Sequence, residues 1–354
     1  MIMFETVYEL PLTKGYVADW RMQHAVRELI QNALDSESPF EWTLDGAQLR
    51  ITSRHTVLGV ETLLLGSTSK AENADAIGNF GEGYKIALLV LAREGYDVTV
   101  LNGRVSWHAE FRNSKRFATE LLCIVETSAP SKHTGLDFII QLKDEDDEDR
   151  IRSCCLQMQD NIGEVVEVAK GRILLDRKGE LYVGGLFICK TGLDFSYDIK
   201  PHLIKLERDR QTVSSWELQL VTKDMWFDSG RIDQIVELIE KGSPDLYHAE
   251  LGTPKVVADA CYRHFIKQHP GAVIARDQQE LDDLVDAGMT KVVFASGNTH
   301  YAIVKNSASY RARPVVKTAT PREILAKWIE WRCPDVQDHA KHEILTKADR
   351  WRTK

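Results

Sequence analysis

Residues 28–35 read E-L-I-Q-N-A-L-D, and residues 78–85 read G-N-F-G-E-G-Y-K. In the first stretch Val26, Leu29, Ile30, Ala33 and Leu34 repeat with the period of an amphipathic helix, while Glu28, Asn32 and Asp35 recur at i, i+4 and i+7. The three polar groups therefore share one stripe of that helix. The second stretch runs straight into I-A-L-L-V-L-A, so a glycine-rich turn opens an apolar helix whose first N–H groups can face an anion. It is not a Walker A loop: Tyr84 separates Gly83 from Lys85, and Ile86 stands where a magnesium-binding hydroxyl would be needed. A carboxylate and an amide on one helix, opposite such a turn, define a pocket for a nucleotide and a metal.

The two motifs in this order resemble the GHKL superfamily of ATPases, which includes gyrase B subunits, heat-shock-ninety chaperones, histidine kinases and MutL. The family helix carries E-x-x-x-N-x-x-D, matched by Glu28, Asn32 and Asp35. The resemblance covers roughly the first two fifths of the chain and implies a Bergerat-type α/β sandwich that binds ATP and Mg²⁺. It assigns Glu28 to polarising the attacking water and Asn32 to magnesium. Asp35 and the turn Gly78, Phe80, Gly81, Glu82, Gly83, Tyr84 and Lys85 are assigned to the nucleotide. Ser69 and Lys70, in G-S-T-S-K, sit where the family places a phosphate-facing lid, and Thr134 matches a threonine near the adenine. One departure stands out. Where the family has a D-x-G-x-G element whose Asp accepts the adenine amino group, this chain has Ser53 or Arg54.

Composition bounds the alternatives. The 354 residues are 43% hydrophobic and 28% charged, ordinary for a soluble globular protein. A net charge of -8 and a pI near 5.8 disfavour a large sequence-independent nucleic-acid footprint. The six cysteines show no CxxC spacing and read as reduced core residues, implying neither disulfides nor zinc. Cys333, His339 and His342 are too loosely spaced for a metal site. No signal pattern and no long apolar run is visible, so a cytoplasmic protein without membrane contact is expected.

The pattern along the chain gives an α+β class in three parts. Residues 1–143 form the ATP-binding domain, with strand hairpins at Asp45-Gly46 and Asn102-Gly103 and helices ending near Asp35 and Gly95. The acidic run Asp144–Asp149 reads as a solvated linker before a helix over Arg150–Gln159. Residues 144–243 then give strand signals V-V-E-V, R-I-L-L and E-L-Y-V-G-G-L-F-I-C, followed by helices over 216–227 and 232–241, loosely like the family's transducer or middle domain. By that likeness Lys190, Arg208 or Arg210 is the cation that reaches the γ-phosphate. Residues 244–354 form a small α/β domain with a βαβ unit and two tail helices, without recognisable chemistry.

The function expected is an ATPase whose nucleotide drives domain closure, in a homodimer, on a macromolecular client that is protein or DNA. The alternative is an ATP-binding switch with negligible hydrolysis. A histidine kinase is disfavoured because His24 already lies inside the helix of Glu28, with no room before it for a phosphoacceptor helix.

Overall fold

The computed structural model describes residues 5–36, 38–45, 47–64, 82–130, 132–206, 213–295, 297–310 and 321–350. The chain divides into two units, Met1–Ser229 and Gly230–Lys354. This boundary falls between Ser229 and Gly230, and the three-part division at 143 and 243 is not a subdivision of it.

The first unit is built on a seven-stranded antiparallel sheet. Its strands are β1 (Thr6–Glu9), β2 (Glu41–Leu44), β3 (Gln48–Ser53), β4 (Val98–Asn102), β5 (Val105–Ser114), β6 (Thr119–Ser128) and β7 (Leu136–Gln141), in the order β1-β6-β5-β4-β7-β3-β2. Alternation sets one face against the helices: Leu49, Ile51, Val98, Val100, Phe138 and Ile140 are buried and stand opposite one another in the register. Helices α1 (Met22–Leu34) and α2 (Gly83–Arg93) pack on each other, α1 against β3 and α2 against β4 and β5. Both helices are buried over most of their circumference, α2 mainly by apolar side chains and α1 with Arg27, Glu28 and Gln31 carried inside among apolar ones.

A second, five-stranded sheet completes this unit: β8 (Val165–Val168), β9 (Gly171–Leu174), β10 (Glu180–Val183), β11 (Leu186–Lys190) and β12 (Ser196–Ile199), ordered β11-β10-β12-β9-β8. β10 and β12 are parallel and the other pairs antiparallel. The E-L-Y-V-G-G-L-F-I-C run is a hairpin rather than one strand. Gly184 and Gly185 adopt φ of 58° and 85°, and the Gly185 N–H donates to Asp198 Oδ1 at 2.7 Å. Helix α4 (Ser215–Asp228) lies against β9, with its Trp226 Nε1 donating to the Tyr197 hydroxyl at 2.7 Å.

The acidic run differs from expectation. Helix α3 spans Asp147–Ser153, with a 3₁₀ turn at Leu156–Met158, instead of a helix over 150–159. Asp147 is fully buried and accepts from the Lys143 and Asp144 N–H groups at 3.0 and 3.1 Å and from the Tyr96 hydroxyl at 3.1 Å. A buried carboxylate with several donors fastens the exit of β7 to the exit of α2, which a solvated linker would not do. α1 packs against α3 and β11 as well as against the large sheet.

The second unit contains α5 (Ile232–Lys241), α6 (Lys255–Gln268), β13 (Val273–Ala275), α7 (Gln278–Asp286) and β14 (Val292–Phe294), with β13 and β14 parallel as the βαβ reading expects. A short helix α8 (Gly297–Tyr301) continues as a π-helical turn over Ala302–Asn306, where sequence periodicity gave no signal. Helices α9 (Pro321–Arg332) and α10 (Asp338–Arg350) follow. Among the described residues no helix is long and apolar enough to cross a membrane.

Gly135 tests the close approach of β7 to β3. Its φ is +86°, and a Cβ there would lie 2.7 Å from the Arg54 carbonyl and 2.9 Å from that of Ser53. Gly135→Ala should therefore cost about 2 kcal/mol or more in chemical denaturation. Gly103→Ala should cost about 1 kcal/mol, because at φ +57° its nearest neighbour, Val57, is 3.5 Å away.

Candidate functional site

Helix α1 carries the polar stripe through the interior of the first unit. Its first turn is fixed from α2: the Met22 N–H donates to Glu94 Oε2 at 2.7 Å, and the Arg21 N–H donates to His24 Nδ1 at 2.9 Å. A carboxylate at a helix N-terminus is favourable both as acceptor and as charge. Burial, with Arg27 nearby, pushes the His24 pKa down, so its ring stays neutral and can accept that bond.

Along the stripe exposure increases. Glu28 is 1% exposed, Asn32 is half-buried, and Asp35 is the half-buried C-cap with φ −80°. One face of a single helix thus places Glu28 deepest, with Asn32 and Asp35 nearer the surface. The Asn32 amide nitrogen is buried with no hydrogen-bond partner among the described residues. Amide nitrogen and oxygen can exchange places by a flip, so the side chain can present either a donor or an acceptor to a ligand. A buried polar atom of this kind is costly unless something else satisfies it. The residue therefore fits the ligand role that the family resemblance gives it.

Arg27 was not anticipated as part of this site. It is 4% exposed, its Nη2 lies 3.6 Å from Glu28 Oε1, and its guanidinium stands over the Trp20 ring at 6.0 Å. Arg27 shares its side of the α1 wheel with Gln23, His24 and Gln31, so no signal in the sequence marks its burial. An adjacent R-E pair does not normally meet on a helix, and only tertiary burial brings these two groups together.

At the start of α2, Glu82 is the N-cap residue and makes no side-chain capping bond. Its carboxylate thus leaves the first-turn N–H groups of the helix to other acceptors. Gly83 is buried at the first helical position. Tyr84 and Lys85 turn toward the 3₁₀ turn Val60–Leu63. The Tyr84 hydroxyl meets Thr62 Oγ1 at 2.8 Å, and burial pushes its pKa up to about 12. Lys85 is fully buried, and its Nζ donates to the carbonyls of Thr62 at 2.8 Å and Leu64 at 2.5 Å. Burial lowers its pKa. These bonds tie Leu64 to the first turn of α2, so Lys85 is engaged with backbone carbonyls in this structure. Ser69, Lys70, Gly78, Phe80 and Gly81 lie outside the described residues, as do Arg208 and Arg210.

The strand ends complete the surroundings. Ser53 is buried at the end of β3, in the same alternation as Leu49 and Ile51 that faces the helices, and it pairs with Leu136. Arg54 is exposed and engages both carboxylate oxygens of Glu41, with Nε at 2.7 and 2.9 Å. Of the two residues standing at the family's adenine position, Ser53 is the one on the helix side. Thr134 is exposed, one residue before Gly135. Lys190 is the exposed last residue of β11, the strand that packs on α1. Among the described residues no group of three or more His, Cys, Asp or Glu could hold a metal ion.

No family model matches the chain. It is similar to an uncharacterized protein of Mycoplasma pneumoniae, with 26% identity over 222 residues, covering 57% of this chain and 89% of that one.

Lys85→Met keeps the packing and removes two charge-assisted bonds, leaving two carbonyls without their donor. It should lower stability by about 2 kcal/mol in denaturant titration. Because the folded pKa lies below the ordinary 10.5, the unfolded chain holds this proton more tightly. The stability advantage of wild type over the variant should therefore grow as pH rises toward that value and level off above it.

Proposed function

We propose that the first unit binds Mg²⁺-ATP and hydrolyses it in the manner of the GHKL ATPases. The observation that carries this reading is the placement of Glu28 and Asn32 on one stripe of α1, the first wholly buried and the second with an unsatisfied buried amide atom, in a helix packed against α2. A solvated helix face would expose such groups. Burying a carboxylate and an amide is unfavourable unless a ligand or partner uses them.

In this reading the first-turn N–H groups of α2, with those of residues 78–81, donate to the phosphate oxygens, and Glu28 acts as the base. The oxygen of a water bonds to the γ-phosphorus as the bond from phosphorus to the bridging oxygen breaks, and Glu28 holds the proton that the water gives up. Bound magnesium would draw charge from the phosphate oxygens, with Asn32 as its side-chain ligand. Ser53 and Thr134 would border the adenine, and Lys190, Arg208 or Arg210 would meet the terminal phosphate. The expectations of a homodimer, a cytoplasmic location and a macromolecular client, protein or DNA, belong to this proposal.

A second reading, ATP as a switch without appreciable hydrolysis, is favoured by Arg27. A guanidinium 3.6 Å from Glu28 Oε1 competes with water for the carboxylate. Turnover by the wild-type protein separates the two.

Glu28→Gln should lower kcat by about 100-fold or more with ATP affinity unchanged, whereas Asn32→Ala should weaken Mg²⁺-ATP binding by about ten-fold. Steady-state phosphate release beside calorimetric titration reads both. Hydrolysis by Glu28→Gln at the wild-type rate removes the base assignment. Wild-type binding without turnover selects the switch.

A further inference from the structure

Strand β3 ends on a hydroxyl at the place where the GHKL resemblance calls for a carboxylate. Leu49, Ile51 and Ser53 alternate toward the helices, and Ser53 is 6% exposed. Its carbonyl accepts from the Thr56 N–H at 3.3 Å, but among the described residues no hydrogen bond engages its side chain.

The charged and amide groups around this strand end are held elsewhere. Arg54 is exposed and bound to both oxygens of Glu41. Asp137 follows Leu136, the partner of Ser53 on β7, and therefore points to the opposite face of the sheet, where its carboxylate accepts from Arg50 Nε at 3.1 Å. Asn102 pairs with Leu136 from the β4 side, yet its amide is closed on Leu58: Oδ1 accepts from the Leu58 N–H and Nδ2 donates to the Leu58 carbonyl, both at 2.8 Å. Ser53 thus offers the helix side a neutral hydroxyl, which can donate or accept as its rotor turns.

A carboxylate and a hydroxyl read a purine differently. A carboxylate accepts from the amino group of adenine but opposes the oxo group of hypoxanthine or guanine, because two acceptors then face each other away from water. A site built that way rejects the wrong base strongly. A hydroxyl accepts from the amino group and donates to the oxo group, so neither base leaves it unpaired. A guanidinium would select the oxo base, but Arg54 is turned to Glu41.

Resting on the nucleotide reading of the first unit, we propose that the Ser53 hydroxyl faces the purine edge and that the site takes oxo-purine nucleoside triphosphates as well as ATP. The substrate class is then purine triphosphate, with Ser53 as the residue that sets it.

Calorimetric titration of the full chain with Mg²⁺-ATP and with Mg²⁺-inosine triphosphate, in which an oxo group replaces the amino group, tests this. Wild type should bind the two within about ten-fold of each other. Ser53→Asp should weaken the inosine nucleotide by about 30-fold or more relative to ATP. Ser53→Ala should weaken both by about five-fold and leave their ratio as in wild type. Should the thermal melt show that Ser53→Asp is not folded, the wild-type ratio and Ser53→Ala decide. The proposal is overturned by a wild-type preference for ATP above about ten-fold. A folded Ser53→Asp protein with the wild-type ratio, or a Ser53→Ala protein that binds both nucleotides as wild type does, also overturns it. Wild type that binds ATP and rejects inosine triphosphate removes this proposal and leaves the nucleotide reading standing, whereas wild type that binds neither removes both.

Discussion

The first unit depends on burying a helix that is not wholly apolar. α1 lies between the seven-stranded sheet on one side and α3 with β11 on another, and α2 closes a further flank. Ala25, Val26, Leu29 and Ile30 are completely buried there. Removing these apolar groups from water, at about 25 cal/mol per Å² of buried surface, provides the driving force to carry Arg27, Glu28 and Gln31 inside with them. Charges taken into such an interior must be held by partners or put to use. Arg27 and Glu28 lie against each other there, and the Glu94 carboxylate separately accepts from the first turn of α1.

Much of the frame was legible because its signals are local. The period of α1, the turn dipeptides of the hairpins and the glycine after α2 each act within a few residues, and α1, α2, the β2–β3 and β4–β5 pairs and the parallel β13–β14 pair are found where they were expected. The Glu28–Asn32–Asp35 stripe was legible for the same reason. What could not be read depends on contacts distant in sequence. Asp147 is buried by Tyr96 and by backbone donors, so its acidic run resembles a linker only when taken alone. The bonds of the Lys85 ammonium run to the Thr62 and Leu64 carbonyls, more than twenty residues away in sequence. Arg27 gave no motif because its neighbours Glu28 and Trp20 meet it through tertiary packing. The π-helical turn at Ala302–Asn306 has no periodic signature at all.

The two units also differ in chemistry. The proposed nucleotide site draws every residue that the family resemblance names from the first unit. The second contributes a parallel strand pair and packed helices, with Ile324, Trp328 and Trp331 exposed on α9.

The central claim is that Mg²⁺-ATP occupies the α1–α2 side of the first unit. Hydrogen exchange on the full chain, with and without Mg²⁺-ATP, reads this directly. The amides of Met22–Asp35 and Glu82–Ile86 should slow on adding nucleotide with magnesium, with little change when magnesium is chelated. Exchange unaltered in both stretches at millimolar ATP, or protection confined to Gly230–Lys354, would contradict it.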